Sequence, residues 1–433
     1  MRHPSGRSRT AGGRAAILAV VRVAIMTAGS RGDVAPFTGL GHGLALAGHE
    51  VTLVTHGCFE PLVAGSGLGF HPLPVDPRAE LESSRGRGLH RSATGPGKML
   101  RAVGLVRAAI ARMTDDLIAA AEKSDLLLLA GSLGPVGHAI AEALNLPSVS
   151  AHLQPLSPTR EFAPPLLGGG HWGGAANRLA GHGVDLAVER VFSAAVPAVR
   201  TRLGLPARAV TGRRVRQEQR GPVYHGFSPL VVPRPRDWRS ALQVCGYWWP
   251  YDRYTQLPDG LWDFLDAGPP PVYVGLGSAT VPDPGRLSDT IVRALRRAGL
   301  RGVVQQGWAG LEASGEDMLT IGEVPHSALF PRLAGVVHHA GAGTTAAGLR
   351  AGVPAVPVPV QFDEGFWADR LVGLGVAPCS VPLRGLTADN LAAALVRATR
   401  GYGHRERARA LGARIREENG LAPVLNAVEQ LAR

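Results

Sequence analysis

Apolar residues along this chain fall into short runs, each followed by a turn signal and then a stretch of helical period. Residues 15–27 form the first run and end at the turn GSRGDV (Gly29–Val34). PFTGLGHGLALAGH follows, with Pro36 suited to a first helical turn and Gly48 to a helix stop. EVTLVTH (Glu50–His56) then reads as a second strand, which completes a βαβ unit. The rhythm repeats in DLLLLAG (Asp125–Gly131), GHAIAEALN (Gly137–Asn145) and PSVSAH (Pro147–His152). After a proline-rich stretch around Leu230–Trp249 it resumes with PVYVGLGS (Pro271–Ser278) and a helix near 285–299. RGVVQQG (Arg301–Gly307), MLTIGEV, GVVHH, a helix, PAVPVPV and a helical tail complete the chain.

This alternation predicts an α/β protein with two doubly wound, Rossmann-like domains facing across a cleft. The expected organisation is a flexible leader at 1–14, a first domain at 15–230, a linker at 231–250 and a second domain at 251–420. A helix at 421–433 is expected to pack back on the first domain. SSRGRGLHRSATGPGK (Ser83–Lys98) is polar and glycine-rich and reads as a mobile loop. Its GPGK is not a phosphate loop, because Met99 stands where Ser or Thr is required and no strand precedes it.

Composition narrows the class. Hydrophobic residues are 45% and charged residues 18%, which suits a soluble protein with a large core. No uninterrupted apolar run of about 18 residues predicts a membrane span. The net charge of +12 raises the question of nucleic acid, but the cations are almost all scattered arginines, apart from clusters such as Arg213–Arg216. No basic-aromatic interleaving or nucleic-acid motif accompanies them, so nucleic acid is not an expected partner. Cys58, Cys245 and Cys379 are odd in number and far apart, which fits a reducing, cytoplasmic setting. The basic start followed by AAILAVV resembles a secretory signal, but Arg22 interrupts the run and no cleavage site follows.

The chemistry is densest in HHAGAGTTAAGLRAGVPAVPVPVQFDE (His338–Glu364). A strand ends in histidines, a glycine-rich turn follows, and TTAAGLRA opens a helix. Backbone N–H groups at such a helix start, with Thr344, Thr345 and His339 as further donors, form an anion site suited to phosphates. Two ligand readings arise. Gly341-Ala-Gly343-Thr-Thr-Ala346 matches the dinucleotide pattern GxGxxA, with Asp363 at about ribose distance. The paired histidines and late acids fit a different phosphate ligand. A tight turn with no ligand is the third alternative.

The whole segment, through GFWADRLVGLGVAP, resembles the donor signature of inverting, nucleotide-sugar-dependent glycosyltransferases of the bacterial natural-product and sterol-type group. GSRGDVAPFTGLGHGLALAGHEV, LQPLSPTREFAPP, VVPRPRDW, PVYVGLGS and GEVPHSALFPRLAGVVHHAGAGTT match it in the same order, over about residues 21 to 430. The resemblance implies the GT-B fold, with an N-terminal acceptor domain and a C-terminal donor domain. It places His339, Gly341, Gly343, Thr344 and Thr345 on the donor diphosphate, with Ala340 in the same turn and Ser278 on a neighbouring loop. Val324, Pro325 and His326 would line the pyrimidine pocket, beside Trp308. Asp363 and Glu364 would hydrogen-bond sugar hydroxyls. Glu364 stands where the group commonly has Gln, which leaves the sugar open.

An inverting transfer requires a base for the acceptor hydroxyl. The resemblance assigns it to Asp33, whose alternative role is a helix cap. Gly32 and Arg31 flank it, Arg31 as an ordering residue, a phosphate contact or a surface ion pair. His42, His49 and His56 read as surface or packing residues. His152, Phe162 and Trp172, with Leu166 and Leu167, are candidates to line an acceptor pocket. The expected activity is hexosyl transfer from a UDP- or TDP-sugar to a polyketide, macrolide, sterol or glycolipid acceptor. No metal or other cofactor is expected, and monomer and homodimer both stay open. A non-catalytic nucleotide-sugar-binding partner and a nucleotide-sugar epimerase on the same fold are the alternatives.

Overall fold

The computed structural model describes residues 19–82, 96–193, 195–205, 221–252 and 256–431. The expected leader, most of the Ser83–Lys98 loop and the Arg213–Arg216 cluster lie outside those residues. Within them the chain builds two parallel sheets. The first contains β1 (Arg22–Met26), β2 (Glu50–His56), β3 (Gly69–Leu73), β4 (Leu126–Ala130), β5 (Ser148–His152), β6 (Val223–His225) and β7 (Leu242–Val244). Their order is β3-β2-β1-β4-β5-β6-β7. The second contains β8 (Val272–Gly275), β9 (Gly302–Gln305), β10 (Met318–Ile321), β11 (Gly335–His338) and β12 (Ala355–Pro357), ordered β10-β9-β8-β11-β12.

Both sheets are covered by helices on both faces, so their inner strands bury every residue or nearly so. That is why LLLLA and GVVH read as continuous apolar runs with no alternation. The strand order reverses direction between β1 and β4 in the first sheet and between β8 and β11 in the second. Turns at the carboxyl ends of strands beside such a reversal open onto a crevice. GSRGD follows β1, GLGS follows β8 and HHAGAG follows β11, so all three sequence motifs stand at these two points.

The domains share buried surface. Phe227 of the first lies 6.1 Å from Trp367 of the second, and both are fully buried. The last helix, Ala422–Leu431, sends Val424 and Val428 into the apolar cluster of Val34, Phe37 and Leu44 in the first domain. No helix among the described residues is long and apolar enough to cross a membrane.

Two expectations need correction. The proposed linker 231–250 contains β7, paired with β6 at Val223–Leu242 and His225–Val244. Three residues are too few to show a period, and the prolines before them hide the strand. A helix spans Gly174–Phe192. Pro36 lies inside the helix Arg31–Leu46 instead of in its first turn. The helix starts at Arg31 because Asp33 Oδ2 accepts from the Ser30 N–H and Oγ–H at 2.8 and 2.9 Å. That carboxylate satisfies a helix-start donor ahead of the proline.

Candidate active site

The cleft is assembled from the turns at the two reversal points. On the first domain, Gly29 has φ +138°, and a Cβ there would stand 2.4 Å from Asp33 Oδ2. Only glycine lets the turn fold over the carboxylate. The Gly29 N–H donates to His56 Nε2 at 3.0 Å, which ties the turn to the end of β2. Asp33 is therefore a capping residue, but its surroundings do more than cap. Burial raises its pKa, Ser30 opposes that rise by hydrogen bonding, and the charge of Asp363 raises it further. The Gln154 side chain also hydrogen-bonds this carboxylate. Asp33 and Asp363 come from opposite domains, and the charge of Asp363 reaches Asp33.

Arg31 and Glu323 also meet across the cleft. Arg31 Nη1 donates to Glu323 Oε2 at 2.9 Å, and both side chains are about half exposed. Of the three roles open to Arg31, this is the surface ion pair. Gly32 is exposed beside it.

On the second domain, three loops converge at Gly277, next to Ser278. The Trp308 N–H donates to the Gly277 carbonyl at 3.1 Å. A Cβ on Gly277 would lie 2.7 Å from the His339 ring, and one on Gly341 would lie 2.3 Å from His339 Nε2. His339 is thus wedged between the GLGS turn and the start of the helix Ala342–Ala351. Burial lowers its pKa to about 4, so at neutral pH it is an uncharged imidazole with one N–H to donate. Its Nδ1 has no hydrogen-bond partner within the protein. His338 points into the core, where its Nδ1 accepts from the Ala340 N–H at 3.1 Å. Ala340 has φ +65°, a left-handed conformation in a fully buried turn. Gly341 is the N-cap, Gly343 is exposed and Thr344 is half-buried. Thr345 is buried at the same helix start, and its hydroxyl has no partner.

Val324, Pro325 and His326 follow β10 and are all half-buried. The His326 ring stacks on Phe330 at 4.3 Å and meets Tyr273 edge-on at 5.6 Å. Burial, then Arg31, then His339 bring its pKa down to about 4. Trp308 is half-buried, with the Arg78 guanidinium from the first domain 6.0 Å from its ring.

The two acids differ in surroundings. Asp363 Oδ2 accepts from Trp367 Nε1 at 2.8 Å, and burial raises its pKa. Glu364 Oε2 accepts from the Val360 and Gln361 N–H groups at 2.5 and 2.7 Å. Its pKa is raised to about 7, mainly by burial. One Glu364 oxygen therefore holds its own loop.

The acceptor candidates separate. His152 is buried and meets His225 edge-on at 5.6 Å, and His225 in turn stacks on Trp238 at 4.6 Å. Neighbouring positions on β5 and β6 put both imidazoles side by side, so His152 is not on the cleft surface. Phe162 is also buried, packed 5.2 Å from Phe366 of the other domain with Arg370 over its ring. Trp172, Leu166 and Leu167 are exposed. Sequence reasoning missed Gln154, Glu323 and Tyr273. Gln154 alone carried a usable signal, since it lies two residues beyond the end of β5.

Two family models match. The N-terminal domain of glycosyltransferase family 28 covers residues 23–163, and the erythromycin biosynthesis protein CIII-like C-terminal domain covers 305–431. A sterol 3-beta-glucosyltransferase of Arabidopsis thaliana is 34% identical over 87% of this chain and 62% of its own length. One from Cryptococcus neoformans is 32% identical over 94% of this chain but 27% of its own. The chain thus spans less than two thirds of these relatives. Among solved structures, the Streptomyces glycosyltransferase SsfS6 with thymidine diphosphate superposes with a TM-score of 0.63 and 23% identity. That match covers 95% of this chain and 99% of the other.

Proposed function

The chain belongs to the GT-B glycosyltransferases, and on that premise we propose that it transfers a hexosyl group from a UDP- or TDP-sugar to a hydroxyl of a lipophilic acceptor, with inversion. The sterol glucosyltransferase relatives favour UDP-glucose and a sterol-like acceptor within that class. The observation that carries the reading is the approach of the Asp33 helix of one domain to the Ala342–Ala351 helix of the other, with Asp33 near enough to Asp363 for its charge to act.

In this reaction Asp33 takes the proton of the acceptor hydroxyl as its oxygen bonds the anomeric carbon. The bond from that carbon to the diphosphate oxygen breaks, and the electron pair leaves with the diphosphate. The start of the Ala342–Ala351 helix, the His339 N–H and the threonine hydroxyls receive the growing negative charge. Those donors stabilise the leaving group without a metal ion. Asp363 orients the sugar with its remaining oxygen, and Glu364 shapes the loop.

The test is thermal unfolding with UDP, TDP and NAD, followed by a transfer assay with UDP-glucose and a dispersed sterol, with and without EDTA. A nucleotide at about 100 times its Kd adds roughly 2.7 kcal/mol. Stabilisation by UDP or TDP and formation of a β-glycoside that EDTA leaves unaffected are expected. Stabilisation by NAD alone would remove the reading.

A further inference from the structure

The helix Gly174–Phe192 is built inside out. Its buried positions include Asn177, fully enclosed, and Glu189 at 5% exposure, while Leu179 and Leu186 are 75% and 58% exposed. A surface helix ordinarily does the reverse. Leu179 and Leu186 are seven residues apart, so they share one stripe, with Gly183 between them. Just before the helix, Leu166, Leu167 and Trp172 are also exposed. Five of the eleven large apolar side chains exposed among the described residues therefore fall between Leu166 and Leu186.

Charge on this face has one sign. Its exposed ionisable residues on the helix are Arg178, His182 and Arg190; Asp185 is half-buried and Glu189 is buried. The ribbon also begins at the cleft. Gly168 and Gly169 pack so closely on Gly365 and Phe366 that a Cβ on Gly365 would stand 2.5 Å from the Gly168 carbonyl. Gly365 directly follows Asp363 and Glu364.

We propose that this face docks the protein peripherally on an anionic lipid bilayer. Leu179, Leu186 and Trp172 enter the interface, and Arg178 and Arg190 meet lipid phosphates. A two-fold pairing of copies through the same face would bring like charges together, which disfavours a self-interface. The docking rests on the exposed face alone. Its use, bringing a lipophilic acceptor to the cleft mouth, rests on the function proposed above.

The experiment is co-sedimentation of the full chain with vesicles of phosphatidylcholine, alone or with one part in three phosphatidylglycerol. The wild type is expected to pellet with the anionic vesicles and to be released by salt. Leu179→Ser with Leu186→Ser should lower the partition coefficient at least about tenfold while leaving the UDP-induced thermal shift unchanged. Arg178→Gln with Arg190→Gln should remove the preference for phosphatidylglycerol. A wild type that stays in the supernatant with both vesicles at low salt overturns the proposal. So does a leucine variant that pellets like the wild type, or one that turns a dimer into a monomer in analytical ultracentrifugation, which would make the face a protein interface. Vesicle binding without any sugar transfer leaves docking standing and the transferase reading refuted; transfer to a dispersed acceptor without vesicle binding does the opposite.

Discussion

The Asp33 carboxylate, on the first helix of one domain, is close enough to Asp363 of the other that the charge of Asp363 raises its pKa. A carboxylate whose pKa is raised is better matched to proton abstraction near neutrality than an ordinary one. Asp33→Asn should lower kcat about 10²–10⁴-fold, the usual contribution of a general base. Its amide oxygen can still accept from Ser30, so the fold and UDP affinity should persist, as calorimetry would show. The coupling has its own signature. Asp363→Asn removes the charge that raises Asp33, so the acid limb of the kcat/KM profile should move to lower pH. A limb that stays in place would mean that Asp33 is not the titrating base.

Glu364 links the site to stability. Its folded pKa of about 7 lies above the ordinary 4.5, so it favours the folded state when protonated. That contribution is complete below about pH 4.5 and is lost as pH rises through 7. Glu364→Gln keeps an oxygen for the Val360 and Gln361 amides and carries no charge. The variant should match the wild type near pH 4.5 and exceed it above pH 7, by up to about 3 kcal/mol at roughly 1.36 kcal/mol per pKa unit. Urea unfolding at the two pH values measures this, and a constant difference would refute it. An altered donor preference in the same variant would show that the second oxygen reads the sugar.

Thr345 is buried with an unpartnered hydroxyl at the start of the Ala342–Ala351 helix. Thr345→Val keeps the shape and removes that hydroxyl. Stability should hold or rise by about 1 kcal/mol, since an unsatisfied buried group is lost. UDP affinity should fall several-fold if the hydroxyl serves the diphosphate. Calorimetry with UDP decides; unchanged affinity would confine Thr345 to packing.

Much of this layout was legible because its signals are local. Strands buried on both faces read as apolar runs, and glycine-rich turns mark where backbone must close on a side chain, as at Gly29 on Asp33 and Gly341 on His339. Contacts between domains left no such trace. Nothing near Arg31 in sequence announces Glu323, and nothing near Phe162 announces Phe366 and Arg370. Phe162 and His152 read as pocket walls because apolar and imidazole residues at a strand end suit a pocket and a packed interface equally. Glu364 was visible as an unusual acid, but its use on the adjacent loop amides depends on the tight turn made by Phe362.

Phe362 offers the sharpest separation of strain from function. It adopts φ +50° although it is not glycine, and its side chain is 66% exposed directly before Asp363. A left-handed conformation costs an L-residue about 1–2 kcal/mol, and a ring this exposed recovers little of that by burial. Strain kept without a folding benefit points to contact with substrate. Phe362→Gly relieves the strain at some cost in unfolded-state entropy, so the midpoint of thermal unfolding should stay or rise. In a transfer assay kcat/KM should fall about tenfold or more if the ring packs on sugar or acceptor, whereas Phe362→Tyr should keep most of the activity. A lower midpoint for the glycine variant would show that the ring supports the fold, and full activity would show that it touches neither substrate.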